Sequence, residues 1–143
     1  MSISQYIYTS TCADEMTPKM AYQVSSQSVS ICEQLQITGR VFANRQQALA
    51  ITEGPTDIVY KYFQAVKSDP LVQTILLHVD RPVEAREFED YSVWLNLGIG
   101  FEFGEKVRKL SPGTVHLALP DNPSPRLRIM AEAYLDDDML IAG

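Results

Sequence analysis

Ile3, Gln5, Ile7 and Thr9 alternate with Ser4, Tyr6, Tyr8 and Ser10, a two-residue period that predicts a first strand. Thr17-Pro18 then reads as a helix entry, a hydroxyl N-cap followed by proline at the first helical position. The helix is expected to run to about Leu35, with Met20, Val24, Ile31 and Leu35 near one face. Gly39 marks a turn, and Arg40 to Ala43 with Ala48 to Thr52 form a hairpin around Asn44-Arg45. Glu53-Gly54-Pro55 closes the hairpin. Ile58, Val59, Tyr62, Phe63 and Val66 recur at helical spacing over Thr56 to Lys67, and Asp69-Pro70 stops that helix. Thr74 to Val79 is an apolar strand, Arg81 to Tyr91 a polar loop, and Ser92 to Phe103 a fifth strand weakened by Gly98 and Gly100. Beyond it, Lys106 to Leu110 is expected to be a short helix. A proline-rich loop follows, and Arg126 to Leu140 reads as a last helix.

The order β-α-β-β-α-β-β is that of an α/β (α+β) ferredoxin-like sheet with two helices on one face. A C-terminal helical segment is then needed to cover the other face, because an apolar sheet face left open would be an exposed patch. The expected organisation is one domain, 1–103, with 104–143 as a helical extension packed on it.

Composition narrows the function classes. The chain has 143 residues, 45% hydrophobic and 21% charged, which suits a globular core. Its net charge of -6 opposes nucleic-acid binding, which needs clustered Lys and Arg. No apolar run would cross a membrane, and the start lacks the pattern of a secretory leader, so a cytoplasmic location is expected. Cys12 and Cys32 stand too far apart for a metal knuckle and read as reduced thiols. Neither His78 nor His116 has a ligand at metal spacing. No phosphate-binding glycine loop or nucleophile-base set stands out, so no enzyme is expected.

Five short motifs carry a family resemblance. They are Ile7-Tyr8-Thr9-Ser10, Ile37-Thr38-Gly39, Glu53-Gly54, Asp69-Pro70 and Phe88-Glu89-Asp90-Tyr91-Ser92. In order and spacing they resemble the BLUF family of flavin-using blue-light sensors, which reads I-Y-x-S, I-T-G, L-E-G, D-P-R-H and F-x-x-W-S-M there. The resemblance covers about the first hundred residues. It implies a ferredoxin-like fold with a flavin ring held between the two helices, ringed by a Tyr, a Gln and an Asn. It also implies a light-driven relay through the Tyr and Gln.

Carried over residue by residue, the resemblance is uneven. Tyr8 falls at the photoactive Tyr, Ser28 at a Ser often near the site, and Asp69 matches. The two adjacent Asn positions are Ile31 and Cys32, and the Gln position is Ala50. An Arg of the second helix becomes Ala65, and the Trp and Met of W-S-M become Tyr91 and Val93. Tyr8, Val24, Ser28, Ile31, Cys32, Ala50, Ala65 and Asp69 are the positions expected to line the cleft.

Ile, Cys and Ala cannot replace amides at the ring's edge, and each buried polar group left unpaired costs about 1–3 kcal/mol. Three losses, not fully additive, would weaken binding by about two to four orders of magnitude. The expectation is therefore a regulatory or interaction protein without a cofactor. It would act through a protein partner or a homo-oligomer, using the fifth strand and the last helix, with Tyr91, Trp94, Met130 and Tyr134 as contacts. The alternative is an FAD-binding photoreceptor with an altered site.

Overall fold

A computed structural model describes residues 2–97 and 104–135. Strand β1 (Ile3–Cys12) leads to helix α1 (Pro18–Gln34), the hairpin β2 (Thr38–Ala43) and β3 (Gln47–Pro55), helix α2 (Thr56–Lys67) and strand β4 (Val72–Val83). Strands β5 (Tyr91–Leu95) and β6 (Val107–Lys109) and helices α3 (Val115–Ala118) and α4 (Pro125–Tyr134) complete the described chain. The sheet order is β4-β1-β3-β2-β5-β6, with β5 parallel to β2 and β6 parallel to β5. This is the ferredoxin-like arrangement, extended on the β2 side.

Two apolar layers hold it together. On one face Tyr6, Tyr8, Ala50, Val93 and Leu95 pack against Val29 and Cys32 of α1 and Val59 and Phe63 of α2. On the other, Ile7, Phe42, Leu49, Ile51 and Trp94 pack against Ala118 of α3 and Leu127 of α4. Alternation along β1 and β3 sends neighbours to opposite layers.

Thr17 caps α1, accepting from the Met20 N–H at 3.2 Å, as its sequence predicts. Its buried face is Ala21, Ser25, Val29 and Cys32, not the face through Met20 and Ile31. Ser25 can be buried because its hydroxyl donates to the Ala21 carbonyl at 2.7 Å; Met20 and Ile31 point outward. Gly39 lies inside β2 rather than in a turn. At φ 149° a Cβ there would sit 1.8 Å from the Ile51 carbonyl oxygen, so no side chain can occupy the position.

Three further expectations change. Residues 107–109 form strand β6, not a helix: three residues beside β5 gain ladder hydrogen bonds that a lone helical turn would lack. Strand β4 continues to Val83, into the expected polar loop, because Ile3 to Tyr6 of β1 still offer it partners. Strand β5 ends at Leu95, short of Asn96 and Leu97, and α4 ends at Tyr134 with Leu135 as its C-cap; residues 98–103 and 136–140 of the two expected elements lie outside the described residues. No helix among the described residues is long and apolar enough to cross a membrane.

Candidate functional site

A cavity of about 170 Å³ opens between α1, α2 and the first sheet face. Its floor is made of small and apolar residues on neighbouring strands, Ala43 and Val41 of β2, Ala48 and Ala50 of β3, and Tyr8 and Ser10 of β1. Ala50 stands directly between Tyr8 and Val41 in the ladder. Val24, Ser25 and Ser28 of α1 form one wall, Tyr62 and Val66 of α2 another. Asp69 and Leu71 sit at the start of β4, where the Asp69 carboxylate accepts from the Leu71 N–H at 2.9 Å.

Among the eight positions singled out by sequence, Tyr8, Val24, Ser28, Ala50 and Asp69 line this cavity. Cys32 is fully buried at its inner end, in contact with Tyr62 and Tyr91. Ile31 is 48% exposed, and Ala65 faces solvent on α2; neither lines the cavity. Ile31 is turned outward because its neighbour Cys32 takes the inward position of that helical turn.

Sequence reasoning missed the residue that organises the inner end. The Tyr62 hydroxyl shares hydrogen bonds with Ser28, Cys32 and Tyr91, joining both helices to β5. Burial pushes the Tyr62 phenol well above its ordinary pKa, and the charge and hydrogen bond of Cys32 add to this. Burial does the same to Tyr8 and Tyr91. It also raises the Cys32 thiol, against the hydrogen bonds from the two tyrosines. All four groups are therefore protonated at neutral pH. Such a cluster is a set of neutral donors and weak acceptors, not a charged site. Tyr62 was legible only as part of the apolar stripe of α2. The Phe63 and Tyr8 rings pack edge to face, 5.1 Å between centroids.

The second face carries a separate polar network. Glu53, fully buried on β3, accepts from the N–H groups of Glu87 (2.9 Å) and Phe88 (3.0 Å) and from the Gln5 amide (3.1 Å). Glu87 in turn accepts from Gln5 at 2.6 Å and from the backbone N–H of Ser124, the N-cap of α4, at 2.7 Å. Burial raises the Glu53 pKa, opposed by the N–H bonds from Glu87 and Phe88. Arg40 of β2 reaches the Ala118 carbonyl of α3 at 3.0 Å and pairs with Asp90 at 2.9 Å. Both C-terminal helices are thus tied to the sheet by polar side chains as well as by apolar packing.

The described part of the expected partner surface on the fifth strand lies in the core, and its residues 98–103 are outside the described residues. All five residues of β5 are buried, with β2 on one side and β6 on the other, so Tyr91 and Trp94 are core. The Trp94 indole N–H donates to Ser92 at 3.0 Å, and Arg108 covers the ring.

The family described as BLUF, sensors of blue-light using FAD, matches residues 3–94. Among solved structures, the BLUF domain of BlrP1 is similar at 16% identity with a TM-score of 0.67, covering 96% of this chain and 93% of that one. The BLUF protein BlrB in its dark state is similar at 22% identity and TM-score 0.59, covering 92% and 97%. Klebsiella pneumoniae BlrP1 in a manganese and cyclic-diGMP complex is similar at 17% identity and TM-score 0.68. This chain spans only 33% of that longer one. No curated protein matches the chain in sequence. Ferredoxin-like topology, motif order and a match over residues 3–94 agree: the chain belongs to the BLUF family.

Proposed function

We propose that this BLUF-family chain works as a regulatory or interaction module without flavin photochemistry. The observation that carries the reading is at the inner end of the cavity, where Tyr62, Ser28, Cys32 and Tyr91 satisfy one another beside Ala50. A flavin ring brings carbonyl oxygens and ring nitrogens that need donors and acceptors when buried, a task suited to amides. The one amide in the cavity lining is Asn44, and its oxygen already accepts from the backbone N–H groups of Gln46 and Gln47 at 2.9 and 2.7 Å. Among the described residues no buried side-chain nitrogen or oxygen lacks a partner. The volume, about 170 Å³, is below the roughly 300–1,000 Å³ of ordinary ligand pockets. The residues present do not fit the ring, and no photochemical step is assigned to them.

A non-enzymatic role follows from the same chemistry. The tyrosine, serine and cysteine groups at the inner end of the cavity are neutral and bonded to one another, and none of them is a poised base or nucleophile. Light-regulated adenylyl cyclase, 13% identical with a TM-score of 0.61, contains this fold in about a third of its chain, which supports a domain that acts on other protein surfaces. The second reading, an FAD photoreceptor with an altered site, draws on Tyr8, which is retained and lines the cavity. A light-minus-dark absorption spectrum of the full chain purified with excess FAD separates the two. The expected result is a flat difference spectrum; a reversible shift of a flavin band would establish the second reading.

A further inference from the structure

The connection from β1 to α1 places three sulfur-bearing residues, Cys12, Met16 and Met20, around one small cavity of about 260 Å³. Cys12 is the last residue of β1, Met16 lies in the connection, and Met20 stands in the first turn of α1, four residues apart at each step. Their backbones are fixed. The Cys12 N–H donates to the Gln46 carbonyl at 2.8 Å, and the Met16 N–H to the Arg45 carbonyl at 2.9 Å. Arg45 Nε donates in return to the Met16 carbonyl at 2.6 Å, and Thr17 holds the Met20 N–H at 3.2 Å. Met20 is long and apolar yet 37% exposed, so core packing does not account for its place. Cys12 and Met16 also line the neighbouring cavity between the helices.

We propose that Cys12, Met16 and Met20 bind copper(I), a soft monovalent cation, through one thiolate and two thioethers. Donor chemistry selects the ion. Thiolate and thioether sulfur favour copper(I), whereas magnesium, calcium and manganese seek oxygen. Zinc takes thiolate, imidazole or carboxylate, usually four at a time in a closed site. Among the described residues no three His, Cys, Asp or Glu groups come together to hold a metal ion. Methionine sulfur is what completes a ligand set at this cavity.

Charge and side-chain reach favour it as well. Asp14 and Glu15 line the same cavity, with Glu15 also paired to Arg45 at 3.3 Å, and the chain's net charge of -6 attracts a cation. An unbranched methionine side chain is flexible enough to aim its sulfur at a shared point from a fixed backbone. Burial and the Asp69 charge raise the Cys12 thiol, which therefore carries its proton at neutral pH. Binding forms a bond from Cys12 Sγ to copper and releases that proton to solvent, while the thioethers donate lone pairs. No electron is transferred, so the ion is taken up as copper(I).

The test is a competition titration of the full chain with copper(I) against the coloured chelator bicinchoninate, under anaerobic reducing conditions. The wild type is expected to withdraw one equivalent of copper(I) from the chelator. Met16→Leu and Met20→Leu conserve side-chain volume, so both should keep the wild-type circular dichroism. Each should weaken binding by about tenfold or more, and Cys12→Ser by about a hundredfold or more, since even groups outside a ligand set are worth about 10–100-fold. Met130→Leu on α4 should leave binding unchanged. Silver(I), a soft ion that needs no reductant, should shift the methyl NMR signals of Met16 and Met20 and leave that of Met130 in place. Excess zinc(II) should displace neither ion. A wild type that takes up no copper(I) overturns the proposal. So does unchanged affinity in Met16→Leu and Met20→Leu, which would reduce the site to one thiol. Silver(I) shifts confined to Met130, or displacement by zinc(II), would overturn it too.

Discussion

If the cavity between the helices is residual space in a core, filling it should stabilise the protein. Ala50 is the position to fill. It lies mid-strand between Tyr8 and Val41, is almost fully buried, and faces the cavity of about 170 Å³. Ala50→Val adds two carbons, each worth about 0.8 kcal/mol when buried, for an upper bound of about 1.6 kcal/mol. Ordering the new side chain takes back about 0.5 kcal/mol, and a β-branched residue suits a central strand. The net expectation is a gain of about 1 kcal/mol, or a melting temperature higher by about 3–5 °C for a domain of this size. Urea unfolding followed by circular dichroism reads it as a raised midpoint at unchanged slope. Adding FAD should change neither the wild type nor the variant. A loss of stability would mean the space is already filled by packing. An FAD-dependent stabilisation of the wild type that Ala50→Val abolishes would mean it is a working flavin cleft.

Three further perturbations probe the rest of the account. Tyr62→Phe leaves Ser28, Cys32 and Tyr91 without their shared partner and should lower stability by about 1–2 kcal/mol in the same urea assay. Glu87→Ala frees the Ser124 N–H and one bond of the Gln5 amide. It should cost about 1–2 kcal/mol and speed amide exchange in α4 more than in α1. Asp90 titrates below its ordinary range: burial works against this, but the Lys106 hydrogen bond and the Arg40 and Lys106 charges outweigh it. A lowered carboxylate stabilises the fold above its unfolded pKa and loses that contribution as pH falls through its folded value. The wild type should therefore exceed Asp90→Asn in stability at neutral pH, with the gap closing below about pH 4.

Much of the fold was legible because the relevant signals are local. Thr17-Pro18 caps a helix whatever surrounds it, and the stripe from Ile58 to Val66 requires a face to bury. The parts that were not legible depend on partners distant in sequence. Residues 107–109 have no alternation of their own and become a strand because β5 offers an edge. The inward face of α1 is displaced from the apolar stripe because Ser25 finds a carbonyl within its own helix. At the site, the motif spacing located Tyr8 and Ala50 within the cavity lining, where a rigid ladder carries register faithfully. On α1 and α2 the same spacing put Ile31 and Ala65 at positions that face away, since one residue along a helix turns a side chain by about 100°. Tyr62 looked like any apolar-stripe residue, and only the arrival of Cys32 and Tyr91 from other elements makes it a hub.

The most direct test of the central claim is the flavin content of the full chain, expressed with abundant FAD, denatured, and analysed by absorbance and mass spectrometry of the released small molecules. The account predicts a colourless sample with flavin far below one molecule per chain. A yellow protein releasing close to one flavin per chain would contradict it.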